Sequence, residues 1–214
     1  DVSLKAASQK VSVLLFPELS ITGYSSGDLF HQRLLLEAAE KELTALLQKK
    51  TKSLEMVIAV GMPVRADNQL FNCAVVFFKG RILGIVPKTF IPNYNEFYEK
   101  RWFSSSVHRI SDKISLCGQE VPFCENLLFK DAGSELVIGV EICEDLWVPI
   151  PPSSNHALNG ANLLLNLSAS NEVVGKAAYR KSLVAGQSAK CIAAYLYTSS
   201  CSSESTTDLV FGGH

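Results

Sequence analysis

Short apolar runs, each bounded by proline, glycine or polar residues, recur along the chain and constrain its fold more than any other feature. Runs at residues 11–16, 56–64, 73–78, 81–86, 135–142, 161–167 and 191–197 have the length and composition of buried β-strands. Residues 34–47 and 176–190 carry apolar side chains at helical spacing. Lys79-Gly80 separates two of the strands as a two-residue hairpin turn. The sequence therefore predicts an α/β fold with a mixed sheet.

The composition is that of one large domain with a well-buried core. Hydrophobic residues make up 47% of the 214 residues and charged residues 19%. The formal net charge of -1 gives no overall field that would attract nucleic acid or an anionic membrane. No run reaches the roughly 20 apolar residues that span a bilayer. Residues 149–155, which include three prolines, are predicted to form a loop.

The cysteines and histidines indicate neither a disulfide framework nor a metal site. Six cysteines occur without a C-x-x-C pair, and most lie in apolar runs, which favours free thiols in a reducing, cytoplasmic setting. The four histidines are scattered and form no zinc-binding pattern. We therefore expect no metal in this chain.

Three polar residues of complementary chemistry stand where apolar runs end. Glu18 follows Pro17, Lys88 follows Pro87, and Cys143 follows the run that ends at Ile142. Residues just past the carboxyl ends of strands line the crevice of an open α/β sheet. Attack on an amide needs a nucleophile, a proton shuttle and a group that stabilises the oxyanion. A thiol, a carboxylate and an ammonium supply these three functions.

Each of the three residues also has a plain structural interpretation. A cysteine in an apolar strand is usually an inert core residue, and we assign Cys73 and Cys191 to that class. Cys143 differs because Glu144 and Asp145 follow it at once, which puts it at the polar end of its strand. Taken separately, the carboxylate could belong to a loop and the lysine to the surface, so spacing alone leaves both interpretations open.

The segments around these residues resemble the three catalytic blocks of the nitrilase (carbon–nitrogen hydrolase) superfamily, in the same order. Residues 15–19 and 141–145 resemble the first and third blocks, and the Lys88 segment resembles the second. Residues 19–30, 87–101, 166–170 and 204–211 are similar to one branch of it, the amino-terminal glutaminase domains of glutamine-dependent NAD synthetases.

The resemblance implies a nitrilase-like four-layer α-β-β-α sandwich with mixed sheets and the hydrolysis of glutamine to glutamate and ammonia. Glu18 would be the general base, Lys88 the oxyanion stabiliser and Cys143 the nucleophile that forms a thioester. Glu96, eight positions after Lys88, matches the superfamily's second glutamate, which orients the site. The resemblance also carries over five substrate contacts, which are Tyr94, Glu144, Trp147, Ser170 and Lys176. These contacts suit a zwitterion, because Glu144 could meet the α-ammonium, and Ser170 and Lys176 could meet the α-carboxylate.

The resemblance also implies partners. In the family, ammonia passes to a synthetase domain of the same chain, which uses ATP and Mg²⁺ to amidate deamido-NAD to NAD within a homo-oligomer. The S-G-G-x-D-S loop of that domain has no counterpart here, so we expect no cofactor in this chain and ATP and Mg²⁺ only in the synthetase domain. Residues 1–214 would form the carbon–nitrogen hydrolase domain, incomplete at both ends.

Three other hypotheses compete with a glutaminase. A free-standing amidase of the same superfamily would act on another small amide. A catalytically silent domain would carry the three residues without using them, and a cysteine-directed electrophile shaped like glutamine would then show no preference for Cys143. A papain-like protease would need flanking residues that no cysteine here has.

Overall fold

In the part of the chain that the structure describes, the strands form two four-stranded sheets and one small hairpin. A computed structural model describes residues 2–213, except for the side chain of Lys50. The strands are β1 (Val13–Leu15), β2 (Val57–Ala66), β3 (Gln69–Phe78), β4 (Arg81–Pro87), β5 (Lys113–Leu116), β6 (Gln119–Pro122), β7 (Leu128–Lys130), β8 (Val137–Ile142), β9 (Leu163–Ser168) and β10 (Ala194–Ser199).

Both four-stranded sheets are mixed, as the sequence predicts. The first has the order β1-β2-β3-β4, with β1 parallel to β2 and the remaining neighbours antiparallel. The second has the order β10-β9-β8-β7, with only β7 antiparallel to its neighbour. The strands β5 and β6 pair separately. Parallel pairing of β8, β9 and β10 brings their carboxyl ends to one edge.

The helices cover the outer faces of the two sheets. They are α1 (Val2–Ser8), α2 (Arg33–Ala45), α3 (Pro152–Leu158) and α4 (Lys176–Cys191). Helices α1 and α2 pack with β2 and β3 in one apolar cluster. Helix α3 lies on β8, and α4 on β10. A second cluster joins the inner faces of the sheets, so the layers follow the order α-β-β-α.

The hairpin turn between β3 and β4 is confirmed at Lys79-Gly80. Both residues have positive φ, 49° and 77° respectively, as the two central residues of a type I′ turn require. Lysine accepts this left-handed conformation at some cost, whereas glycine accepts it freely.

The prediction of a loop at residues 149–155 is wrong in its second half. Pro152 is the first residue of α3, a position where the missing N–H has no intrahelical partner to lose. The sequence also gave no indication of α1, of the hairpin β5–β6 or of β7. The first residue of the apolar run at 191–197 is still the last residue of α4, so the strand predicted from this run begins only at Ala194.

All six cysteines are free thiols, at positions 73, 117, 124, 143, 191 and 201. Cys73 is fully buried, which confirms its assignment to the core. Cys191 is partly buried at the end of α4 and packs against a small apolar cluster, so its assignment to the core is confirmed only in part. Among residues 2–213, no helix is long and apolar enough to cross a membrane.

Candidate active site

The three candidate catalytic residues lie where their strands end. Glu18 comes three residues after β1, Lys88 directly follows β4, and Cys143 directly follows β8. The turn that carries Glu18 passes so close to Gly61 of β2 that a Cβ there would lie 2.2 Å from the backbone nitrogen of Leu19. Only glycine at position 61 lets this turn approach the sheet.

Lys88 is the centre of a buried charge network. Its ammonium donates to Glu18 Oε1 at 2.7 Å and to the two carboxylate oxygens of Glu99 at 2.8 and 2.9 Å. Asn72 Nδ2 donates to Glu18 Oε1 at 2.6 Å, and the Tyr24 hydroxyl donates to Glu99 Oε1 at 2.8 Å. Relative exposure is 0% for Lys88 and 1% for each glutamate, so these pairs are shielded from solvent.

Burial and charge act in opposite directions on this network. Burial alone would lower the pKa of Lys88, but the charges of Glu18 and Glu99 together raise it well above its ordinary value. Burial raises the pKa of Glu18, although Lys88 opposes this shift. Lys88 therefore stays cationic, and Glu18 has the raised proton affinity that suits a group receiving a proton.

Cys143 occupies a strained turn between β8 and a short 3-10 helix (Cys143–Leu146). Its φ is 46°, a left-handed conformation that a non-glycine residue rarely adopts. Its backbone N–H donates to Asn166 Oδ1 at 3.1 Å. The Asp145 carboxylate accepts the N–H groups of Ile142 at 3.0 Å and Phe90 at 2.8 Å. These bonds tie the cysteine turn to the segment that follows Lys88.

The thiol of Cys143 is buried at 6% exposure and electrostatically coupled to the charge network. Burial and then the charge of Glu18 raise the pKa of Cys143, whereas Lys88 and the N–H of Ala169 lower it. The same N–H donates to Glu18 Oε2 at 2.9 Å, which places sulfur and carboxylate beside one backbone group. The arrangement suits a neutral thiol that loses its proton to Glu18 during attack.

The second glutamate of the network is Glu99, so the assignment of Glu96 to this role is wrong. Glu96 is half-buried and accepts a hydrogen bond from Asn171, whose side-chain oxygen accepts one from Lys176. It therefore faces the Lys176 side of the site rather than Lys88. The fold of the segment 89–98 decides which glutamate reaches Lys88, and the eight-residue spacing carries no information about that path.

Three of the expected substrate contacts form an accessible rim. The Tyr94 hydroxyl donates to the Glu144 carboxylate at 2.9 and 3.0 Å, and Tyr94 is 50% exposed. Burial raises the pKa of Glu144, while Tyr94 and Lys88 lower it. The ring of Trp147 packs on Tyr179 with a centroid separation of 5.6 Å. A cavity of about 660 Å³ opens beside Tyr94 and Glu144.

Two further expected contacts lie at the start of α4. The Lys176 ammonium lies 5.2 Å from the centroid of the Trp147 ring. Burial lowers the pKa of Lys176, while the charges of Cys143 and Glu96 raise it. Ser170 is buried, and its hydroxyl accepts a hydrogen bond from the Arg180 guanidinium at 3.0 Å. The Arg180 contact occupies an acceptor site of the serine and leaves its O–H to donate elsewhere.

Sequence reasoning missed several residues that hold this site. They are Tyr24, Asn72, Glu99, Asp145, Asn166 and Arg180. Only Asp145 had a local signal, because it lies two residues after Cys143 in the acidic pair that ends the apolar run. Within residues 2–213, no cluster of histidine, cysteine and acidic side chains is arranged to hold a metal ion.

Comparison with known proteins agrees with this geometry. The family model described as carbon–nitrogen hydrolase matches residues 1–214. The chain belongs to that family of hydrolases. It is 41% identical over 218 residues to the glutamine-dependent NAD(+) synthetase of Mycobacterium tuberculosis, and this match covers 100% of the chain and 31% of that protein. The human glutamine-dependent NAD(+) synthetase is 35% identical over 176 residues, covering 79% of the chain and 25% of that protein.

Solved structures show the same fold. The glutamine-dependent NAD(+) synthetase of Cytophaga hutchinsonii superposes with a TM-score of 0.80 at 30% identity, over 92% of the chain and 31% of that protein. The amidase NitN, at 18% identity and a TM-score of 0.74 over 99% of the chain and 72% of that protein, shares the fold alone. These likenesses confirm the nitrilase-like four-layer sandwich. The chain spans about a third of the length of the synthetases it matches.

Proposed function

We propose that this chain hydrolyses the side-chain amide of glutamine through a thioester on Cys143. The observation that carries the proposal is the buried Glu18–Lys88–Glu99 network beside a thiol that stands on a strained turn. A neutral thiol, a base of raised proton affinity and a permanent cation are the groups that amide hydrolysis requires. The glutamine-dependent relatives support glutamine as the amide.

The first half-reaction follows from the roles of these groups. The Cys143 sulfur attacks the amide carbon while its proton passes to Glu18. The negative charge that develops on the amide oxygen is stabilised by the Lys88 ammonium. Glu18 then gives its proton to the nitrogen, the C–N bond breaks, and ammonia leaves a γ-glutamyl thioester.

Water completes the second half-reaction. Glu18 takes a proton from a water molecule as the water oxygen attacks the thioester carbon, and the C–S bond then breaks. The proton returns to the sulfur, and glutamate leaves. Glu99 contacts neither reacting atom in this scheme. It holds the Lys88 ammonium together with Glu18 and keeps it charged throughout.

The rim supplies groups of the right charge for the amino-acid end of glutamine. The Glu144 carboxylate would meet the α-ammonium, and Tyr94 holds that carboxylate in place. Lys176 and Ser170 would meet the α-carboxylate as a cation and an O–H donor. Trp147 carries the Lys176 ammonium on its ring face and would line the path of the side chain.

The relatives extend the proposal to a pathway and a setting. We infer that residues 1–214 act as the glutaminase domain of a longer chain, whose synthetase domain uses the ammonia for ATP-dependent amidation of deamido-NAD to NAD. ATP and Mg²⁺ would bind in that domain and not in this one. A homo-oligomer in the cytoplasm completes the proposal, and six free thiols support a reducing compartment.

Ammonia release tests the proposal, in the chain alone and in its full-length gene product. Cys143→Ala is expected to abolish release from glutamine while the fold survives, because one sulfur leaves only a small cavity. Cys201→Ala, at an exposed thiol, is the matched control and should retain full turnover. Turnover by Cys143→Ala would contradict the nucleophile. Release from a simple aliphatic amide but not from glutamine would favour a free-standing amidase.

A further inference from the structure

A row of polar side chains crosses the outer face of the second sheet, beneath α3 and α4. Glu141 of β8 and Asn166 of β9 are register partners on neighbouring strands. Tyr195 of β10 lies two residues before Tyr197, the register partner of Asn166, and so points to the same face. The inner faces of the same strands carry apolar side chains such as Val140.

The hydrogen bonds along this row all have the same donor-to-acceptor direction, which ends at the Glu141 carboxylate. The Glu141 carboxylate accepts from the Tyr195 hydroxyl, and its other oxygen accepts from the backbone N–H of Ser153 at 2.8 Å. Asn166 Nδ2 donates to the Tyr195 oxygen at 3.1 Å. Asn166 Oδ1 points away from Tyr195, and it accepts from the N–H of Cys143 at 3.1 Å and from the Ser168 hydroxyl at 2.7 Å.

The stability of the fold does not account for this row. Glu141 is 1% exposed and Asn166 is fully buried, and among the described residues Glu141 has no cation within salt-bridge distance. Burial raises the pKa of Glu141, so the carboxylate is costly to bury. Apolar residues of similar volume at such positions are often neutral or stabilising. A fully connected buried network, in contrast, fixes one geometry for the group at its end.

The group at the end of the row is the nucleophile turn. Cys143 holds a left-handed φ of 46°, which is unfavourable for a non-glycine residue and persists only where the surroundings impose it. A bond from its N–H to a fixed acceptor is one such constraint. The bond holds the backbone of Cys143 on the outer side of the sheet, while its sulfur belongs to the cluster between the sheets.

We propose that Asn166, oriented by Tyr195 and Glu141, is a positioning residue that holds the Cys143 turn and aims the sulfur at Glu18 and Lys88. This inference deepens the proposed function and rests on it for the reaction that is measured. It adds residues from β9, β10 and the interior of β8 to a site whose reacting groups all lie at strand ends.

Tyr195→Phe in the full-length protein is the most direct test, because it deletes the oxygen that accepts from Asn166 Nδ2 and donates to Glu141. We expect kcat for glutamine to fall about 10- to 100-fold with KM nearly unchanged, because a small misplacement of a reacting group lowers the rate by such a factor. The pH profile of Cys143 alkylation by iodoacetamide should also shift toward that of a free thiol, with a pKa of about 8.5. Asn166→Ala should give the same changes, at least as large.

Ser188→Ala is the matched control for a purely structural effect, because it also deletes a single hydroxyl. The Ser188 hydroxyl of α4 donates to the backbone oxygen of Ala193 at 2.7 Å, just before β10. The variant should lower Tm without changing kcat or the alkylation profile. The inference is overturned if Tyr195→Phe and Asn166→Ala keep the wild-type kcat and profile, or if Ser188→Ala reproduces their losses.

The alkylation profile separates this inference from the proposed function. If the wild-type protein released no ammonia from glutamine, the function would fail, while a shifted profile in Tyr195→Phe and Asn166→Ala would still support the positioning role. If glutamine were hydrolysed and both variants behaved as the wild type does, only the positioning role would fail. Where Asn166→Ala fails to fold, the conservative Tyr195→Phe decides the matter.

Discussion

The charges around Lys88 and the side chains around Glu144 belong to one site but are held in different ways. Lys88 is fully buried and makes bonds to two carboxylates, and each of these has a second donor. Glu144 and Tyr94 are partly open to solvent and bond chiefly to each other. The buried network has little freedom to rearrange, whereas the rim can exchange its internal bonds for bonds to a ligand.

The difference assigns separate roles to the two regions. Reacting groups must be held in fixed geometry before the substrate arrives, because misplacement lowers the rate. Groups that recognise the substrate need access and a modest cost of binding. Changes in the network should therefore reduce stability and kcat together, and changes in the rim should act mainly on KM.

The largest expected effect is that of Lys88→Met. It would leave the carboxylates of Glu18 and Glu99 buried without their cation, and breaking such a pair costs about 3–5 kcal/mol in the free energy of unfolding. Urea denaturation measures this loss, and ammonia release should disappear as well. Lys100→Met, at an exposed lysine in the same segment, should change stability by no more than about 0.5 kcal/mol. Equal stability of the two variants would show that the network is not a charged one.

A second comparison separates the two glutamates. Glu99→Gln keeps the side-chain shape but removes one of the charges that raise the pKa of Lys88, and we expect kcat to fall about 10²-fold or more. Glu96→Gln alters the contact to Asn171 and removes a charge near Lys176, and it should change KM by a small factor. Steady-state ammonia release measures both. A larger loss of kcat in Glu96→Gln than in Glu99→Gln would reverse the assignment.

Lys176→Met should act on binding alone. Losing a charged hydrogen bond to the α-carboxylate costs about 1.5–3 kcal/mol, which corresponds to a rise in KM of about 10- to 100-fold. A primary amide without an α-carboxylate should be hydrolysed at the wild-type rate. Lys181→Met removes an exposed charge from the same helix and should leave both reactions unchanged. A loss of kcat without a change in KM would place Lys176 with the network instead.

The two regions were also unequally predictable from the sequence. Glu18, Lys88 and Cys143 were found because apolar runs mark strands, and strand ends meet at an edge of the sheet. The main strands and helices were predicted for the same reason, since their periodicity is local. Glu99 was missed because it reaches Lys88 through an irregular segment whose path depends on distant contacts, including Tyr24.

Asn166 and Tyr195 were missed for the same reason, whereas α3 was missed for a local one. Asn166 and Tyr195 look like ordinary polar interruptions of apolar strands, and only the pairing of β8, β9 and β10 shows that they adjoin Glu141. The first residues of α3, 152–155, were predicted as a loop because the prolines at 149–152 were weighed without regard to position, although proline is favourable in a first helical turn. Local sequence carries periodicity, whereas register and loop path are set by tertiary packing.

The smallest expected effect is a pH shift caused by Tyr94→Phe. Burial raises the pKa of Glu144, and the Tyr94 hydroxyl opposes this by donating to the carboxylate. Without that donor the pKa of Glu144 rises further, so the ionised form that binds the α-ammonium is lost at a higher pH. We expect KM for glutamine to be several-fold higher at the acidic end of the pH range and almost unchanged at the alkaline end. Tyr98→Phe, at another exposed tyrosine, should keep the wild-type profile. A change in KM that is equal at both ends of the range would show that Tyr94 contacts the substrate directly, and a fall in kcat would show that the rim and the buried network are coupled.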